Sequence, residues 1–274
     1  MNGKLTIVKN IAWAIAIGLS LLALLVGLMI TAFARYGGEK ERAPMVLGLP
    51  NEPSAGVITV GKHEDNESPA LVPQSDDAGQ AYIDSLTFLL DSSTVGLRDY
   101  GLLSGGTGTQ QVWGSSAGNL PASELGSLSI RYPADGSTVS VSDAVMITKP
   151  SRLVISVGAD SLGNVTQEQF VEGYRTLLQS IRESSPDTVI LCCSLLPVGD
   201  GYAGSDGLNN AMIQEANGWL LALCEEMGCY YLDTNTFMQD GREFLIAEYA
   251  SANNKTLNSA GLNAFLTYLR THAV

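Results

Sequence analysis

The sequence predicts an α/β domain with a central, mostly parallel sheet, preceded by one N-terminal transmembrane helix. Short apolar runs typical of buried strands alternate with longer runs of helical periodicity from about residue 80 onward. Strands that alternate with helices form βαβ units, in which the strands are parallel. A second observation, an uncharged apolar run near the N-terminus, predicts the membrane span.

The apolar run extends from Ile11 to Phe33 and contains no charged residue. At about 1.5 Å per residue it corresponds to roughly 35 Å of helix, which exceeds the hydrocarbon core of a bilayer. We interpret it as a single-pass anchor behind a short tail, residues 1–10. A cleaved signal peptide is the alternative, because Ala32-Phe33-Ala34 has the small-x-small pattern of a cleavage site, although signal h-regions are usually only about 7–15 residues long.

Residues 34–78 are rich in Pro, Gly, Ser and acidic residues and contain one short apolar stretch. This composition predicts a flexible tether, with a mean reach of about 35–40 Å as a random coil. The remaining residues, 79–274, are numerous enough to form one domain with a sizeable core.

Within this domain, the strand candidates are runs of Leu, Val, Ile, Cys and aromatic residues: Leu86–Leu90, Leu153–Val157, Thr188–Leu195 and Cys229–Leu232. The helix candidates carry apolar residues at helical spacing: Thr166–Glu183, Asn209–Met227 and Ser259 to about Thr271. Thr166 is a predicted N-cap, and Gly228 a predicted C-cap.

The chain has 15 basic and 28 acidic residues and a net charge of −13. Nucleic acid and anionic lipid are therefore not expected partners. The four cysteines (Cys192, Cys193, Cys224 and Cys229) lack metal-ligand spacing, and only two histidines accompany them, so we predict neither a metal nor another cofactor. Cys192 and Cys193 point to opposite faces of a strand, which favours buried free thiols over disulfides.

The first strand candidate runs directly into Asp91-Ser92-Ser93-Thr94. A serine at the turn after a buried parallel strand lies at the edge of the sheet where α/β proteins bind ligands. Taken alone, this segment is also consistent with an ordinary helix N-cap.

Five segments together resemble, in order, the conserved blocks of the SGNH/GDSL hydrolases. They are DSLTFLLDSSTVG (84–96), QVW with GNL (111–120), LVISVGADS (153–161), SLLPV with YLDT (194–234) and LNSAGLNAFLTYLRTH (257–272). The resemblance implies a flavodoxin-like three-layer sandwich and esterase or acylhydrolase chemistry. It places Ser92 at the nucleophile, with Asp91 beside it, and Gly118 and Asp160 at the two oxyanion-hole positions.

The same resemblance shows which catalytic groups are missing. The register of the last segment puts Thr256 at the position of the catalytic histidine and Asn253 at that of the aspartate which orients it. Threonine cannot act as a base near neutral pH. Asp160 replaces an asparagine that would donate to the oxyanion, whereas a carboxylate only accepts hydrogen bonds and repels negative charge. Leu90 replaces a glycine and is expected to add bulk beside the nucleophile.

Another residue could supply the missing base. Lys255 adjoins the vacated position and belongs to the predicted pocket, but a solvated lysine is protonated near pH 7. His272 falls at the end of the last helix, and His63 lies in the tether. If the pocket is vestigial, Asp160→Asn is expected to be tolerated or stabilising.

The sequence thus predicts a membrane-anchored protein of the SGNH/GDSL type with a degenerate site, placed on the extracytoplasmic side of the cell membrane. Lysine and arginine counts around the helix do not decide its orientation. The short N-terminal tail without acidic residues and the resemblance to secreted enzymes favour this side. The expected role is a binding or regulatory module for an acylated carbohydrate or cell-envelope polymer. A weak serine ester hydrolase that uses Ser92 is the alternative, and a membrane-associated scaffold is a third.

Overall fold

The computed structural model describes residues 68–204 and 207–274. The predicted transmembrane helix, Ile11–Phe33, and most of the predicted tether lie outside the described residues. Within the two described ranges, none of the helices has the length and hydropathy needed to cross a bilayer.

The elements follow the predicted alternation of strands and helices. The strands in chain order are β1 (Leu86–Leu90), β2 (Val112–Trp113), β3 (Ser129–Arg131), β4 (Thr138–Ser140), β5 (Arg152–Ser156), β6 (Val189–Cys193) and β7 (Tyr230–Leu232). The α-helices are α1 (Gly79–Asp84), α2 (Gly96–Asp99), α3 (Val141–Thr148), α4 (Gln167–Ser184), α5 (Asn210–Met227), α6 (Thr234–Met238) and α7 (Ser259–Arg270).

The central sheet has the order β2-β1-β5-β6-β7, and all of its pairings are parallel. Counted among the parallel strands alone, this is the order 2-1-3-4-5 of flavodoxin-like sheets. Strands β3 and β4 form a separate antiparallel hairpin. The prediction of an α/β domain with a central parallel sheet is confirmed.

The alternation of side chains along each strand divides the core into two layers. Leu89, Ile155 and Cys192 lie side by side in the sheet and pack with buried residues of α3, α4 and α5. Their neighbours Leu90 and Cys193 point to the other face, where buried residues of α1 and α7 cover them. The sheet therefore lies between two helical layers, because its strands are apolar on both faces.

The helix boundaries follow capping residues that the sequence displays. Thr166 accepts a hydrogen bond from the Gln169 N–H at 3.2 Å, and the Gln169 side chain accepts one from the Thr166 N–H, which forms a capping box at the start of α4. Gly228 ends α5 in the left-handed conformation, with φ of 61°. Both predicted caps are confirmed.

The four cysteines are buried and unpaired, as predicted. A hydrogen bond with Cys224 and burial raise the pKa of the Cys192 thiol, and burial raises that of Cys193 on the opposite face of β6. These thiols are therefore protonated and unreactive at neutral pH.

The folded domain begins earlier than residue 79, the boundary expected from composition. The Val72 N–H donates to the Tyr231 carbonyl at 2.9 Å, and the Tyr231 N–H donates to the Ala70 carbonyl at 2.7 Å. Ala70 and Val72 are buried. The predicted tether is thus too long at its C-terminal end, because this short segment satisfies the otherwise unpaired edge of β7.

Candidate functional site

The site lies at the carboxyl edge of β1 and β5. These neighbouring strands are the point at which the strand order of the sheet reverses, since β2 lies on one side of β1 and the later strands lie on the other. Ser92 follows β1, and Asp160 follows β5. In open α/β sheets, ligands bind in the crevice at such a switch point.

Leu90 does not crowd this edge. Its side chain is fully buried within the core layer under α1 and α7. The expectation that Leu90 adds bulk beside Ser92 is therefore wrong, because the last strand residue points into the core and the chain turns only after Asp91.

The carboxylate of Asp160 is the centre of the site and accepts four hydrogen bonds. The Ser92 hydroxyl and the Lys255 ammonium, at 3.2 Å, donate to Oδ1. The backbone N–H groups of Ser92, at 3.1 Å, and Leu120, at 2.9 Å, donate to Oδ2. The side chain of Asp160 is only 7% exposed. A carboxylate bound in this way by two backbone N–H groups and an ammonium ion is well compensated for its burial.

The backbone donor from the second segment is Leu120 and not Gly118. The Gly118 N–H donates to the Ser115 carbonyl at 3.1 Å and so closes a turn, in which Gly118 has φ of 78°. This left-handed residue reverses the chain so that the N–H two positions later faces Asp160. The assignment of Gly118 to the oxyanion hole stays a prediction.

Lys255 reaches the site, contrary to the expectation of a solvated lysine. Its side chain is 14% exposed, and its ammonium group forms an ion pair with Asp160. The preceding residue, Asn254, has a φ of 54°, and its Nδ2 donates to the Asp200 carbonyl at 3.0 Å. This left-handed turn directs the Lys255 side chain toward the end of β5.

Asn253 and Thr256 are brought together as the register of the last segment implies. The Asn253 Oδ1 accepts hydrogen bonds from the Lys255 N–H, the Thr256 N–H and the Thr256 hydroxyl, at 3.0, 3.0 and 3.2 Å. The Leu257 N–H donates to the Ser93 carbonyl at 3.0 Å, which fixes this loop beside the Ser92 turn. Among the described residues, no hydrogen bond joins Thr256 to Ser92.

Asp91 connects the ends of β1 and β5 and is buried, with 1% of its surface exposed. Its carboxylate accepts hydrogen bonds from the N–H groups of Ser93, at 2.9 Å, and Ala159, at 3.1 Å. Burial, and then the negative charge of Asp160, raise the pKa of Asp91 from 3.8 to about 7. Asp91 thus joins the Ser92 turn to the Asp160 loop. Its carboxylate faces the backbone N–H groups of Ser93 and Ala159 and not a ligand.

This raised pKa predicts a pH dependence of stability. Between pH 3.8 and about 7 the folded protein binds more protons at Asp91 than the unfolded chain does. The free energy of unfolding should therefore fall as the pH rises through this range. Urea denaturation at pH 5 and pH 7 should show a smaller fall in Asp91→Asn than in the wild type. An equal fall in both proteins would contradict the assignment.

His272 does not form part of the site. His272 stacks on Tyr268 with ring centroids 3.8 Å apart, and its Nδ1 lies 2.9 Å from the Tyr268 carbonyl, at the end of α7. His63 lies outside the described residues. In the described part of the chain, no group of three or more His, Cys, Asp or Glu side chains is placed to hold a metal ion.

A family model for GDSL-like lipases and acylhydrolases matches residues 91–253, which is more than half of the chain. This chain belongs to the GDSL-like lipase/acylhydrolase family. The match begins at Asp91, at the turn after β1, and ends at Asn253, so it includes Ser92, Leu120 and Asp160 but not Lys255.

Solved structures similar to this family member include three esterase-like or lipase-like proteins. One is a protein from Desulfitobacterium hafniense described as lipolytic and of the G-D-S-L family. It is 21% identical to this chain, the match covers 67% of this chain and 98% of that protein, and the TM-score is 0.46. A GDSL-like lipase from Bacteroides thetaiotaomicron is 12% identical over 66% and 82%, with a TM-score of 0.48. A carbohydrate esterase family 3 protein from Talaromyces cellulolyticus is 12% identical over 67% and 92%, with a TM-score of 0.46. No curated protein sequence matches.

Within this GDSL-like domain, sequence reasoning missed two groups that contact Asp160. The Leu120 N–H could not be identified, because backbone direction in a loop is not encoded by any residue pattern. The sequence indicated the Lys255–Asp160 pair only weakly. Asp160 is a carboxylate at a position where the family has an amide, and Lys255 is next to Thr256, the position of the missing histidine. A buried negative charge requires a nearby cation or several hydrogen-bond donors, and Lys255 is the cation nearest in sequence to the site position 256.

Proposed function

We propose that this protein is a catalytically degenerate member of its family, anchored on the extracytoplasmic side of the cell membrane, which binds acylated glycans. The observation that supports the proposal most directly is the position of the Asp160 carboxylate. It accepts the backbone N–H groups of Ser92, at the nucleophile position, and of Leu120, in the loop that contains the oxyanion-hole position Gly118.

Acyl transfer requires free donors where negative charge develops on the carbonyl oxygen. Here those N–H groups already hold a resident carboxylate, and a second anion at the same place would be repelled by it. The Ser92 hydroxyl donates to the same carboxylate, and Thr256 offers no basic nitrogen to take its proton. The site therefore has a serine but neither a vacant oxyanion hole nor the usual base.

A polar cleft of this kind suits recognition of hydroxyl and acyl groups. Ser92, Lys255 and Thr256 provide hydroxyl and ammonium donors, while Asn253 and Asp160 provide acceptors, all on three neighbouring loops. Carbohydrate ligands are bound through such arrays of paired donors and acceptors. The family resemblance suggests an acetylated or otherwise acylated sugar of the cell envelope as the ligand class.

A second candidate function is slow ester hydrolysis by Ser92. The hydrogen bond from its hydroxyl to Asp160 favours this candidate, because a carboxylate is a possible, if weak, acceptor of the serine proton. Lys255, which contacts the same carboxylate, would then assist by holding it in place.

A fluorophosphonate probe and a binding titration separate the two candidates. We expect no labelling of Ser92 in the full-length protein, because its hydroxyl is not activated. We also expect an O-acetylated cell-wall oligosaccharide to bind more tightly than its de-O-acetylated counterpart, by calorimetry. Labelling that disappears in Ser92→Ala would favour the esterase. Equal binding of both oligosaccharides would contradict recognition of the acyl group.

The proposed topology makes its own prediction. Protease added to intact cells should remove the domain and leave a small membrane-bound N-terminal fragment that contains residues 11–33. Permeabilised cells serve as the control for protease access. Recovery of the whole domain in the medium, with a new N-terminus at Arg35, would instead show that the apolar segment is a cleaved signal.

A further inference from the structure

A second cavity lies outside the Asp160 site, between the loop that precedes β2 and the turn of the β3–β4 hairpin. Its volume is about 630 Å³, within the range of about 300–1,000 Å³ typical of small-molecule sites. None of Ser92, Asp160 and Lys255 lines it. The cavity contains two arginines, Arg98 and Arg131, in a chain whose net charge is −13.

The guanidinium of Arg131 is held in place without being neutralised. Among the described residues it has no ion pair and no side-chain hydrogen bond, whereas Arg175, Arg242 and Arg270 each pair with a carboxylate. A Cβ built on Gly136 would lie 3.3 Å from the Arg131 Nη2 and 3.4 Å from its Nε. Gly136, with φ of 75°, thus allows the hairpin turn to approach the guanidinium face closely.

Arg98 also keeps donors available to the cavity. Its Nε donates to Asp99 at 3.1 Å, and in the described part of the chain its two terminal nitrogens make no further hydrogen bond. One carboxylate, that of Asp135, lines the cavity with the two arginines. The Asp135 Oδ1 accepts hydrogen bonds from the N–H and hydroxyl groups of Ser137 at 2.9 and 2.7 Å, so this oxygen is engaged within the hairpin turn. Of the charged residues that line the cavity, two are arginines and one is a carboxylate, and Asp99, which pairs with Arg98, does not line it.

The rest of the lining is polar and rich in hydroxyl groups. The hydroxyl-bearing residues around the two arginines are Thr107, Thr109, Ser115, Ser116 and Tyr132. Hydroxyl groups both donate and accept hydrogen bonds, which suits a ligand that does the same. Guanidinium groups bind carboxylate or phosphate oxygens through two parallel N–H bonds.

We propose that this cavity binds a polyhydroxylated ring that carries one anionic group, such as a sugar acid or a sugar phosphate. Arg131 and Arg98 hold the anion, and the threonine and serine hydroxyls contact the ring. The site is independent of whether Ser92 reacts, and its ligand class differs from the neutral acyl group assigned to the Asp160 cleft.

Calorimetric titration of the full-length protein with D-glucuronate, D-glucose 6-phosphate and D-glucose tests the proposal. At least one of the two anions should bind about tenfold or more tightly than glucose, because hydrogen bonds between charged groups contribute roughly 1.5–3 kcal/mol. The stronger anion identifies the carboxylate or the phosphate as the preferred group. Binding of glucose equal to that of both anions would overturn the proposal.

Charge-matched variants locate the site. Arg131→Gln and Arg98→Gln should each weaken binding of the preferred anion about tenfold, while Arg131→Lys, which keeps the charge but loses the planar fork, should weaken it less. Arg175→Gln removes the same charge on α4, away from the cavity, and should leave binding unchanged. Unchanged binding in Arg131→Gln, or equal loss in Arg175→Gln, would show that the anion binds elsewhere or only through the overall charge.

Discussion

The full-length protein should show no Ser92-dependent hydrolysis of p-nitrophenyl acetate, and the triple variant Asn253→Asp/Thr256→His/Asp160→Asn should create such activity. The triple change supplies a base, a carboxylate to orient it and an amide donor at position 160. It also replaces the charged acceptor of the Ser92 and Leu120 N–H groups by a neutral amide, with which a developing oxyanion competes more readily for these donors.

The magnitude follows from serine hydrolases that work through a complete triad. Loss of the serine or the histidine alone costs on the order of 10⁶-fold in turnover there, so the wild-type rate should lie at background. The structure favours a working register, since Asn253 already accepts a hydrogen bond from the Thr256 hydroxyl and Leu257 is tied to the Ser93 carbonyl. The gain should remain modest, because a misplacement of about 1 Å can cost about 10²-fold.

The control is the same triple variant with Ser92→Ala, assayed beside the wild type and wild-type Ser92→Ala. A triple variant that remains folded but hydrolyses no faster than its Ser92→Ala control would show that position 256 does not face the serine. Wild-type turnover that is lost in Ser92→Ala would contradict the degenerate site itself and would favour the slow esterase.

Four strands and three helices of this domain could be predicted from the sequence, because each is long enough to show its periodicity. Strand β1 has the predicted bounds, and α4 and α5 begin one residue after the predicted first residues, Thr166 and Asn209. The hairpin β3–β4 was missed, since strands of three residues such as Ser129–Arg131 carry too little pattern. Edge strand β2, only two residues long, was missed for the same reason.

Some of the residues that meet at the site could be predicted from strand order, without any periodicity. Parallel strand order alone brings the residues after β1 and β5 to one edge, so the proximity of Ser92 and Asp160 could be anticipated. The contact from Lys255 could not, because it joins loops 95 residues apart and depends on the left-handed backbone of Asn254. Asp160 was expected to repel an oxyanion, and the structure adds that its carboxylate accepts two backbone N–H groups, which the sequence did not indicate.

The last prediction concerns the stability that this arrangement provides. Lys255→Met should lower the free energy of unfolding by about 3 kcal/mol, because it leaves the Asp160 charge buried without its cation. Asp160→Asn, which the sequence alone suggested would be harmless, should cost about 1–3 kcal/mol, since it removes the ion pair and places an amide donor near the Lys255 ammonium.

A double-mutant cycle measured by urea denaturation isolates the pair. The variant Asp160→Asn/Lys255→Met should be more stable than the sum of the single losses allows, with a coupling energy of about 1 kcal/mol or more, because neither partner is then left as an uncompensated charge. Lys149→Met is the matched control, since Lys149 is exposed and has no ion pair among the described residues, and it should change stability by less than about 0.5 kcal/mol. If Lys255→Met behaves like this control, Asp160 does not carry the buried negative charge on which the proposed occupation of the oxyanion hole depends. If the single losses simply add, the carboxylate is held by the backbone N–H groups alone, and Lys255 is a bystander.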